Sequence, residues 1–245
     1  MNKRFVFTVL LILAAIFIAA SFIYKSISVK KSGNIPEKAR IETSDDVKPK
    51  KEQLDSETGE RNIEILFSDN VTEDSFLYEI KPKDTLTKIA HQFNTTVELL
   101  KKSNKLKSDI IFPGKLIKVP RSKFTIEVDK SDNTLLLLSS GRPFKLYTVS
   151  TGENLNTPTG TFYIEEKMVK PVWYKTGAVV DPNSPEYELG SRWMGLSKEG
   201  YGIHGTNDES TIGSHITKGC VRMKNSDVEE LYAIVPSGTE VIIVE

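Results

Sequence analysis

The sequence predicts a mainly β protein: a small βααβ domain, then a larger β-rich domain with one clear C-terminal helix, all preceded by an N-terminal transmembrane helix. Three observations support this class. They are an uncharged apolar run near the N-terminus, a strand–helix–helix–strand pattern over residues 77–120, and short strands separated by turn residues from residue 123 to residue 245. A length of 245 residues suits one or two such domains with additional segments.

The N-terminal run is Phe5–Tyr24, 20 residues without a charge, and it follows Lys3 and Arg4. As a helix it would span a hydrocarbon core of roughly 30 Å. We interpret residues 1–24 as a membrane anchor. A cleaved signal peptide is the alternative, although the run exceeds the usual apolar length of about 7–15 residues. Either interpretation implies export. We therefore expect a single-pass protein of the cell membrane, with its linker and both folded domains on the extracytoplasmic side.

Residues 25–76 predict a charged, flexible linker. Lysine, glutamate, aspartate and serine dominate this segment, and Phe67 and Phe76 are its only aromatic residues. Such a composition buries too little apolar surface to offset the entropy lost on ordering. As a flexible coil, its 52 residues would span roughly 40 Å on average. The short run Ile63–Phe67 is apolar enough to pack locally.

Residues 77–120 predict a compact domain of their own. Leu86, Ile89, Ala90 and Phe93 recur at i, i+3, i+4 and i+7, the pattern of an amphipathic helix. Thr95 and Glu98 form a capping box for a second helix. A strand at residues 78–80 precedes the helices, and another at residues 116–119 follows the Pro113-Gly114 turn.

Residues 123–245 predict the β-rich domain. Five segments have strand patterns: Phe124–Val128, Thr134–Leu138, Phe144–Ser150, Thr161–Ile164 and Val241–Val244. One helix is indicated by a capping box of Ser226 and Glu229 with an apolar face behind it. The stretch from Lys170 to Arg192 lacks a period and predicts a long loop. Loops of this length often act as lids or binding elements.

Charge and cysteine content exclude several kinds of function. Lys+Arg and Asp+Glu both number 33, so the net charge is zero. Binding to nucleic acid needs a marked positive excess, and we expect no nucleic-acid partner. One cysteine in the whole chain excludes an internal disulfide framework and a CxxC zinc site.

That single cysteine, Cys220, follows His204 by sixteen residues. A thiol and an imidazole are a nucleophile and a general base when the fold brings them together. An unperturbed thiol of pKa ~8.5 is only a few per cent thiolate at neutral pH, so it needs such a partner. We expect His204 at the end of a strand and Gly205 to let the chain turn. A second strand end, carrying Cys220, would then lie beside it.

The neighbours of Cys220 predict substrate contacts. The backbone amides of Lys218, Gly219 and Cys220 are candidates for an oxyanion hole. In an extended segment Arg222 points to the same face as Cys220, where its guanidinium is able to grip a carboxylate. The alternative for Arg222 is an ion pair with Asp227.

Other interpretations of these residues stay open at this point. A lone cysteine is often a small buried apolar residue. A zinc site built from His204, His215 and Cys220 would need a fourth ligand. We expect neither a metal nor an organic cofactor.

Residues 77–120 resemble the lysin-motif (LysM) domain. The matching residues span the whole segment: Asp84-Thr85-Leu86, Ile89-Ala90, Phe93, Leu100, Asn104, Pro113-Gly114, Leu116 and Val119-Pro120. Lys83 departs from the family, which usually has glycine there. The resemblance implies a module that binds the N-acetylglucosamine-containing glycan of peptidoglycan or chitin without chemistry.

Residues 124–245 resemble the L,D-transpeptidase catalytic domain. The pattern is carried by His204-Gly205, by Thr217-Lys218-Gly219-Cys220-Val221-Arg222 and by the upstream Thr157–Phe162 element. The resemblance implies that Cys220 is the nucleophile, that His204 is its proton acceptor and donor, and that the Gly205 carbonyl orients the imidazole. It assigns no role to His215.

The two resemblances imply one function. The chain would cross-link stem peptides of peptidoglycan through a cysteine thioester, with release of D-Ala. The LysM domain would bind the glycan, and the N-terminal helix would anchor the chain in the membrane. Two alternatives remain: an L,D-carboxypeptidase or peptidoglycan hydrolase that uses the same thioester, and a non-catalytic wall-binding anchor.

Overall fold

The computed structural model describes residues 54–175 and 177–245. The predicted membrane helix and residues 25–53 of the predicted linker lie outside the described residues. Within the described part, no helix is long and apolar enough to cross a membrane.

The elements alternate short helices with many short strands. The described α-helices are Ser56–Phe67 (α1), Leu86–Gln92 (α2), Val97–Ser103 (α3) and Asn225–Ile234 (α4). The described strands are Ser75–Glu79 (β1), Leu116–Pro120 (β2), Phe124–Asp129 (β3), Thr134–Ser139 (β4), Arg142–Thr148 (β5), Thr151–Gly152 (β6), Gly160–Val169 (β7), Trp173–Lys175 (β8), Ala178–Val180 (β9), Arg192–Leu196 (β10), Gly202–His204 (β11), His215–Thr217 (β12), Val221–Arg222 (β13) and Glu240–Val244 (β14).

The small domain has the predicted order of strand, helix, helix and strand. Strands β1 and β2 pair antiparallel, and both helices contribute to an apolar core that includes Leu86, Ile89 and Leu100. Thr85 caps α2, because its hydroxyl accepts the Lys88 amide proton. The predicted capping box of Thr95 and Glu98 is wrong, because the N-cap of α3 is Thr96 and not Thr95. The Thr95 amide instead donates to the Ala90 carbonyl at the end of α2.

The larger domain is built on an eight-stranded sheet of order β13-β11-β10-β7-β14-β3-β4-β5. The five predicted strand segments fall in β3, β4, β5, β7 and β14, and helix α4 packs against the sheet. The mainly β class of this domain is therefore confirmed. The predicted capping box of α4 is wrong: the helix begins at Asn225, and the hydroxyl of Ser226 bonds the Asp227 carboxylate instead.

The predicted long loop contains a short hairpin. Strands β8 and β9 pair antiparallel with Trp173 opposite Val180. Residues 170–191, which connect β7 to β10, are called the hairpin segment below. The hairpin segment has a small apolar core of Val180, Tyr187 and Leu189, against which Trp173 and Trp193 pack.

The predicted flexible linker is wrong for residues 54–76, because these residues contain α1 and the start of β1. The Asp55 carboxylate caps α1 by accepting the Thr58 amide proton at 2.7 Å. Gly59, Ile63 and Leu66 are its buried positions, spaced i, i+4 and i+7. This single narrow stripe is enough to seat the helix, and the charged residues around it stay in solvent.

Helix α1 contacts the larger domain along strand β5. The side-chain amide of Asn62 donates to the Phe144 carbonyl at 2.8 Å. The Lys145 ammonium, which is buried, lies 2.8 Å from the Glu60 carboxylate and 2.7 Å from that of Glu230 on α4. Ile63 and Leu66 belong to the same apolar core as the strands of the large sheet.

The small domain holds the other end of α1. The buried Lys118 ammonium on β2 donates to the carbonyls of Ile65, Leu66 and Ser68 at 3.0, 3.3 and 2.8 Å. These carbonyls lie at the C-terminus of α1, where intrahelical donors run out. A direct bond from the Thr96 hydroxyl to the Ala233 carbonyl on α4 joins the two domains as well. Helix α1 is thus part of the interface between the domains.

We expect Lys118→Met to lower the free energy of unfolding by about 1–3 kcal/mol, because it removes a buried donor shared by three carbonyls and leaves that of Ser68 without the Lys118 hydrogen bond. Chemical denaturation of the full chain would measure the change. Lys115→Met, at an exposed position near the start of the same strand, is the matched control. Equal stability of the two variants would contradict this role of Lys118.

Candidate active site

The sheet places the segment that carries Cys220 beside the strand that ends at His204. Strand β11 pairs parallel with β13, with Ile203 opposite Val221 and His204 opposite Arg222. Cys220 directly precedes Val221, the first residue of β13, and neighbouring strands lie about 4.8 Å apart. We therefore expect the thiol and the imidazole to lie close together.

Two glycines open the space around the thiol. Gly219 has a φ of 128°, and a Cβ there would lie 2.6 Å from the Tyr201 ring. A Cβ on Gly202, whose backbone hydrogen-bonds the Cys220 sulfur, would lie 2.6 Å from the Trp193 indole. Side chains larger than hydrogen would displace an aromatic ring at either position, so both glycines follow from packing.

The imidazole of His204 is buried, with 3% of its surface exposed, and its tautomer is fixed. Its Nδ1 lies 2.6 Å from the Gly205 carbonyl oxygen. A carbonyl only accepts, so Nδ1 carries the proton and Nε2 keeps a lone pair. Burial lowers the pKa of His204 to about 4; the Gly205 carbonyl acts against this, and the Arg222 guanidinium lowers the pKa further. At neutral pH the ring is a neutral base.

The thiol of Cys220 is half-buried, and its sulfur lies 3.7 Å from the Gly200 carbonyl oxygen, to which it donates. Burial raises the pKa of the Cys220 thiol above its usual value, while the Gly202 amide and the Arg222 guanidinium lower it. Thiol and imidazole are therefore both neutral in the resting site. Only the thiolate is nucleophilic, so a reaction at Cys220 needs a base that removes the thiol proton.

The lowered pKa of His204 predicts a loss of stability in acid. The unfolded chain protonates this histidine below about pH 6.5, whereas the folded chain protonates it only below about pH 4. The contribution is absent above pH 6.5, grows as pH falls, and reaches about 3 kcal/mol of destabilisation near pH 4, at 1.36 kcal/mol per pKa unit. Denaturant unfolding between pH 7 and pH 4 would show it. His204→Gln should flatten that part of the curve, and parallel curves for the two proteins would contradict the assignment.

The structure pairs Arg222 with a residue that sequence reasoning did not single out. Its guanidinium, 11% exposed, lies 3.2 Å from the Glu188 carboxylate of the hairpin segment and donates to the Thr211 hydroxyl at 3.3 Å. The alternative pairing with Asp227 is thus replaced by one with Glu188. Arg222 and Glu188 line a cavity of about 470 Å³ together with Tyr187 and Asn207.

The predicted oxyanion donors are not all free. The Gly219 amide donates to the Thr217 hydroxyl at 3.1 Å, and that hydroxyl donates to the Cys220 carbonyl at 2.7 Å. The expectation of a free Gly219 amide is therefore wrong in this conformation. Lys218 is exposed. The backbone of Gly202, which the sequence did not single out, hydrogen-bonds the sulfur.

His215 lies in a different hydrogen-bond network. Its Nδ1 is 2.9 Å from the Thr151 hydroxyl and its Nε2 is 3.2 Å from the Asn133 side-chain amide. Strand β12, which carries it, pairs with β6 outside the large sheet. Among residues 54–175 and 177–245, no group of three or more His, Cys, Asp or Glu is placed to hold a metal.

Asn225 fixes the turn that follows His204, and sequence reasoning missed it. Its side-chain oxygen accepts the Ser191 amide proton at 2.9 Å, and its side-chain nitrogen donates to the Thr206 carbonyl at 2.7 Å. A Cβ on Gly205 would lie 2.2 Å from that oxygen, so only glycine fits. A lone asparagine at the start of a helix carries no signal for this role, because its partners are distant in sequence.

Comparisons with known proteins identify the two domains. A family model described as the L,D-transpeptidase catalytic domain, YkuD, matches residues 123–243, and the LysM domain matches residues 78–120. Two relatives bear a provisional L,D-transpeptidase name, YkuD. The one from Bacillus licheniformis is 37% identical over 175 residues, which cover 68% of this chain and 98% of the relative. The one from Bacillus subtilis is 36% identical over 173 residues, with 68% and 97% covered.

A solved L,D-transpeptidase from Mycobacterium smegmatis is also similar, with a TM-score of 0.44 and 19% identity over 54% of this chain and 64% of that chain. Nearly the whole length of the Bacillus relatives aligns at more than a third identity, and both family models match in consecutive segments. The chain is therefore a member of the L,D-transpeptidase family, with a LysM domain N-terminal to its catalytic domain.

Proposed function

We propose that the chain is a peptidoglycan L,D-transpeptidase that joins two stem peptides through a thioester on Cys220. The observation that supports the proposal is the pairing of β11, which ends at His204, with β13, which begins one residue after Cys220; the Gly205 carbonyl also holds the imidazole in its Nδ1–H tautomer. General-base activation of a thiol requires a neutral imidazole within its reach.

Acylation begins with the neutral pair. Nε2 of His204 takes the thiol proton as the Cys220 sulfur attacks the carbonyl that joins the third stem residue to D-Ala. The C–N bond breaks, and the imidazolium returns the proton to the departing D-Ala amine. A thioester to Cys220 remains. The positive charge of Arg222, which lowers the pKa of the thiol, favours the thiolate during this step.

Deacylation repeats the steps in reverse with a different amine. The side-chain amine of a neighbouring stem attacks the thioester, His204 accepts its proton, and the thiol of Cys220 is regenerated. We assign the oxyanion hole to the amides of Lys218 and Cys220, since the Gly219 amide is bound to Thr217. Each oxyanion donor contributes about 10²–10³ in rate. No metal or organic cofactor enters these steps.

The remaining proposals concern location and partners. Residues 78–120 would bind the glycan of peptidoglycan and so raise the local concentration of stem peptides at Cys220. Residues 1–24 would anchor the chain in the cell membrane, with both folded domains on the extracytoplasmic side. The apolar run Phe5–Tyr24 supports the anchor.

Incubation of the full chain with a disaccharide-tetrapeptide stem tests the proposed reaction by mass spectrometry of the products. We expect a cross-linked dimer together with free D-Ala. A tetrapeptide ending in L-Ala is the matched control and should stay intact. Release of the tripeptide alone would assign the chain to carboxypeptidases or hydrolases, and no reaction at all would leave a wall-binding anchor; both outcomes contradict the proposal.

A further inference from the structure

Trp193 lies between the hairpin segment and the predicted catalytic base. Strand β10 places Trp193 directly opposite His204 in the antiparallel pairing with β11. The indole and the imidazole are stacked, with ring centroids 5.9 Å apart and planes inclined by 23°. His204 thus has the indole on one side and the strand carrying Arg222 on the other.

The indole itself is held in place. Its Nε1 donates to the Glu166 carboxylate on β7 at 3.0 Å. Two glycines make room for the ring: a Cβ on Gly195 would lie 3.0 Å from Nε1, and one on Gly202 would lie 2.6 Å from the far edge of the indole. Three strands therefore fix the position of one aromatic ring.

The same indole packs against the core of the hairpin segment. Val180, Tyr187 and Leu189 form that core, and Trp193 is partly buried against it. Tyr187 also lines the cavity next to Arg222, and its carbonyl accepts a hydrogen bond from the Asn207 side chain at 2.6 Å. Trp193 thus contacts both the apolar core of the hairpin segment and the imidazole of His204.

The hydrogen bond to Gly205 fixes the direction of Nδ1 but not the tilt of the imidazole ring about that bond. The tilt is set by the groups that pack on the faces of the ring. We propose that Trp193 is a positioning residue for His204: it fixes the imidazole plane so that Nε2 is directed at Cys220, and it couples this orientation to the packing of the hairpin segment. The kinetic part of this inference rests on the proposed function, while the structural part does not.

The kinetic test compares Trp193→Phe, which retains an aromatic stack, with Trp193→Leu, which retains bulk without a ring. In the stem-peptide assay we expect Trp193→Leu to lower kcat at least tenfold with little change in KM. Trp193→Phe should recover most of the loss. Glu166→Gln, which keeps an acceptor for Nε1, should resemble the wild type. Equal kcat values for wild type and Trp193→Leu would overturn the proposal, as would an equal loss in the Phe and Leu variants.

A second measurement does not depend on activity. The chain has three histidines, so nitrogen-15 NMR of histidine-labelled protein resolves each ring. We expect His204 in a single Nδ1–H tautomer with ring protons shifted by the indole. Trp193→Leu should weaken the nuclear Overhauser contacts between the His204 ring protons and the Cys220 β-protons, because the ring plane is released, and Trp193→Phe should keep them. Unchanged contacts in Trp193→Leu would overturn the positioning role. An inactive wild type with these NMR results would instead refute only the proposed function.

Discussion

Replacing Cys220 by alanine is expected to abolish both the cross-linking reaction and covalent labelling by a carbapenem, a class of compound that L,D-transpeptidases accept as acylating pseudo-substrates. Cys220 is the only thiol of the chain, so no other side chain of that kind is able to form the thioester. Intact mass of the full chain before and after exposure to the carbapenem would measure the labelling. We expect one adduct per chain in the wild type and none in the variant.

Cys220→Ser is the matched control for this experiment, because it keeps a nucleophilic atom of the wrong acidity in the same place. Thermal unfolding of the full chain would show whether both variants keep the stability of the wild type. An adduct that persists in Cys220→Ala would refute the assignment of the nucleophile. A large fall in the unfolding temperature of Cys220→Ala would indicate a folding defect, and the labelling result would then be read from the serine variant, in which a carbapenem thioester is equally impossible.

Replacing His204 by glutamine is expected to lower kcat/KM about 10²–10⁴-fold at neutral pH, the usual contribution of a positioned general base. The resting thiol is protonated because burial raises the pKa of Cys220, so without the imidazole only hydroxide removes its proton. The rate of the variant should therefore rise with pH. The gap to the wild type should narrow above neutral pH as free thiolate accumulates.

Alkylation of Cys220 by iodoacetamide checks this without a peptide substrate. We expect slow alkylation near pH 7 and a steady rise towards alkaline pH in the variant. A preformed thiolate–imidazolium pair would instead give a rate in the wild type that is independent of pH around neutrality. That result would contradict the low pKa of His204 and the neutral pair described above.

The parts of the fold that were predictable are those coded by neighbouring residues. Alternation marked β3 and a continuous apolar run marked β4; residues of β3 alternate between buried and half-buried, whereas β4 is buried almost throughout. The spacing between His204 and Cys220, with glycine beside each, indicated that two strand ends meet, and β11 and β13 do pair. Here local pattern and tertiary structure agree.

Helix α1 could not be predicted because its stability comes from distant partners. Its own sequence is charged, and only three buried positions mark its inner face. What orders it is the burial of these positions in the core of the larger domain, together with Lys118 at its C-terminus and Lys145 against its middle. Both lysines lie 50 or more residues from their partners on α1 and its cap. The composition of a segment shows how much apolar surface it has to bury. It does not show which distant residues are available to pack against the segment or to bond it.

The site residues that sequence reasoning missed share this origin. Trp193, Asn225 and Glu188 act on His204, Gly205 and Arg222 across strand pairs or from another loop. Each is an unremarkable residue in a single sequence. Gly219 is the opposite case. It lies in the expected motif, but its amide donates to the nearby Thr217 hydroxyl and is not free to bind an oxyanion.

The contacts of α1 with both domains have a consequence for wall architecture. Lys118 of the small domain and Lys145 of the larger domain both bind helix α1, so the helix connects the two domains. A glycan strand bound by the small domain would then present its stem peptides to Cys220 at a fixed distance and in a fixed direction. Such an enzyme would select the stem peptide to be joined by its distance from the bound sugars.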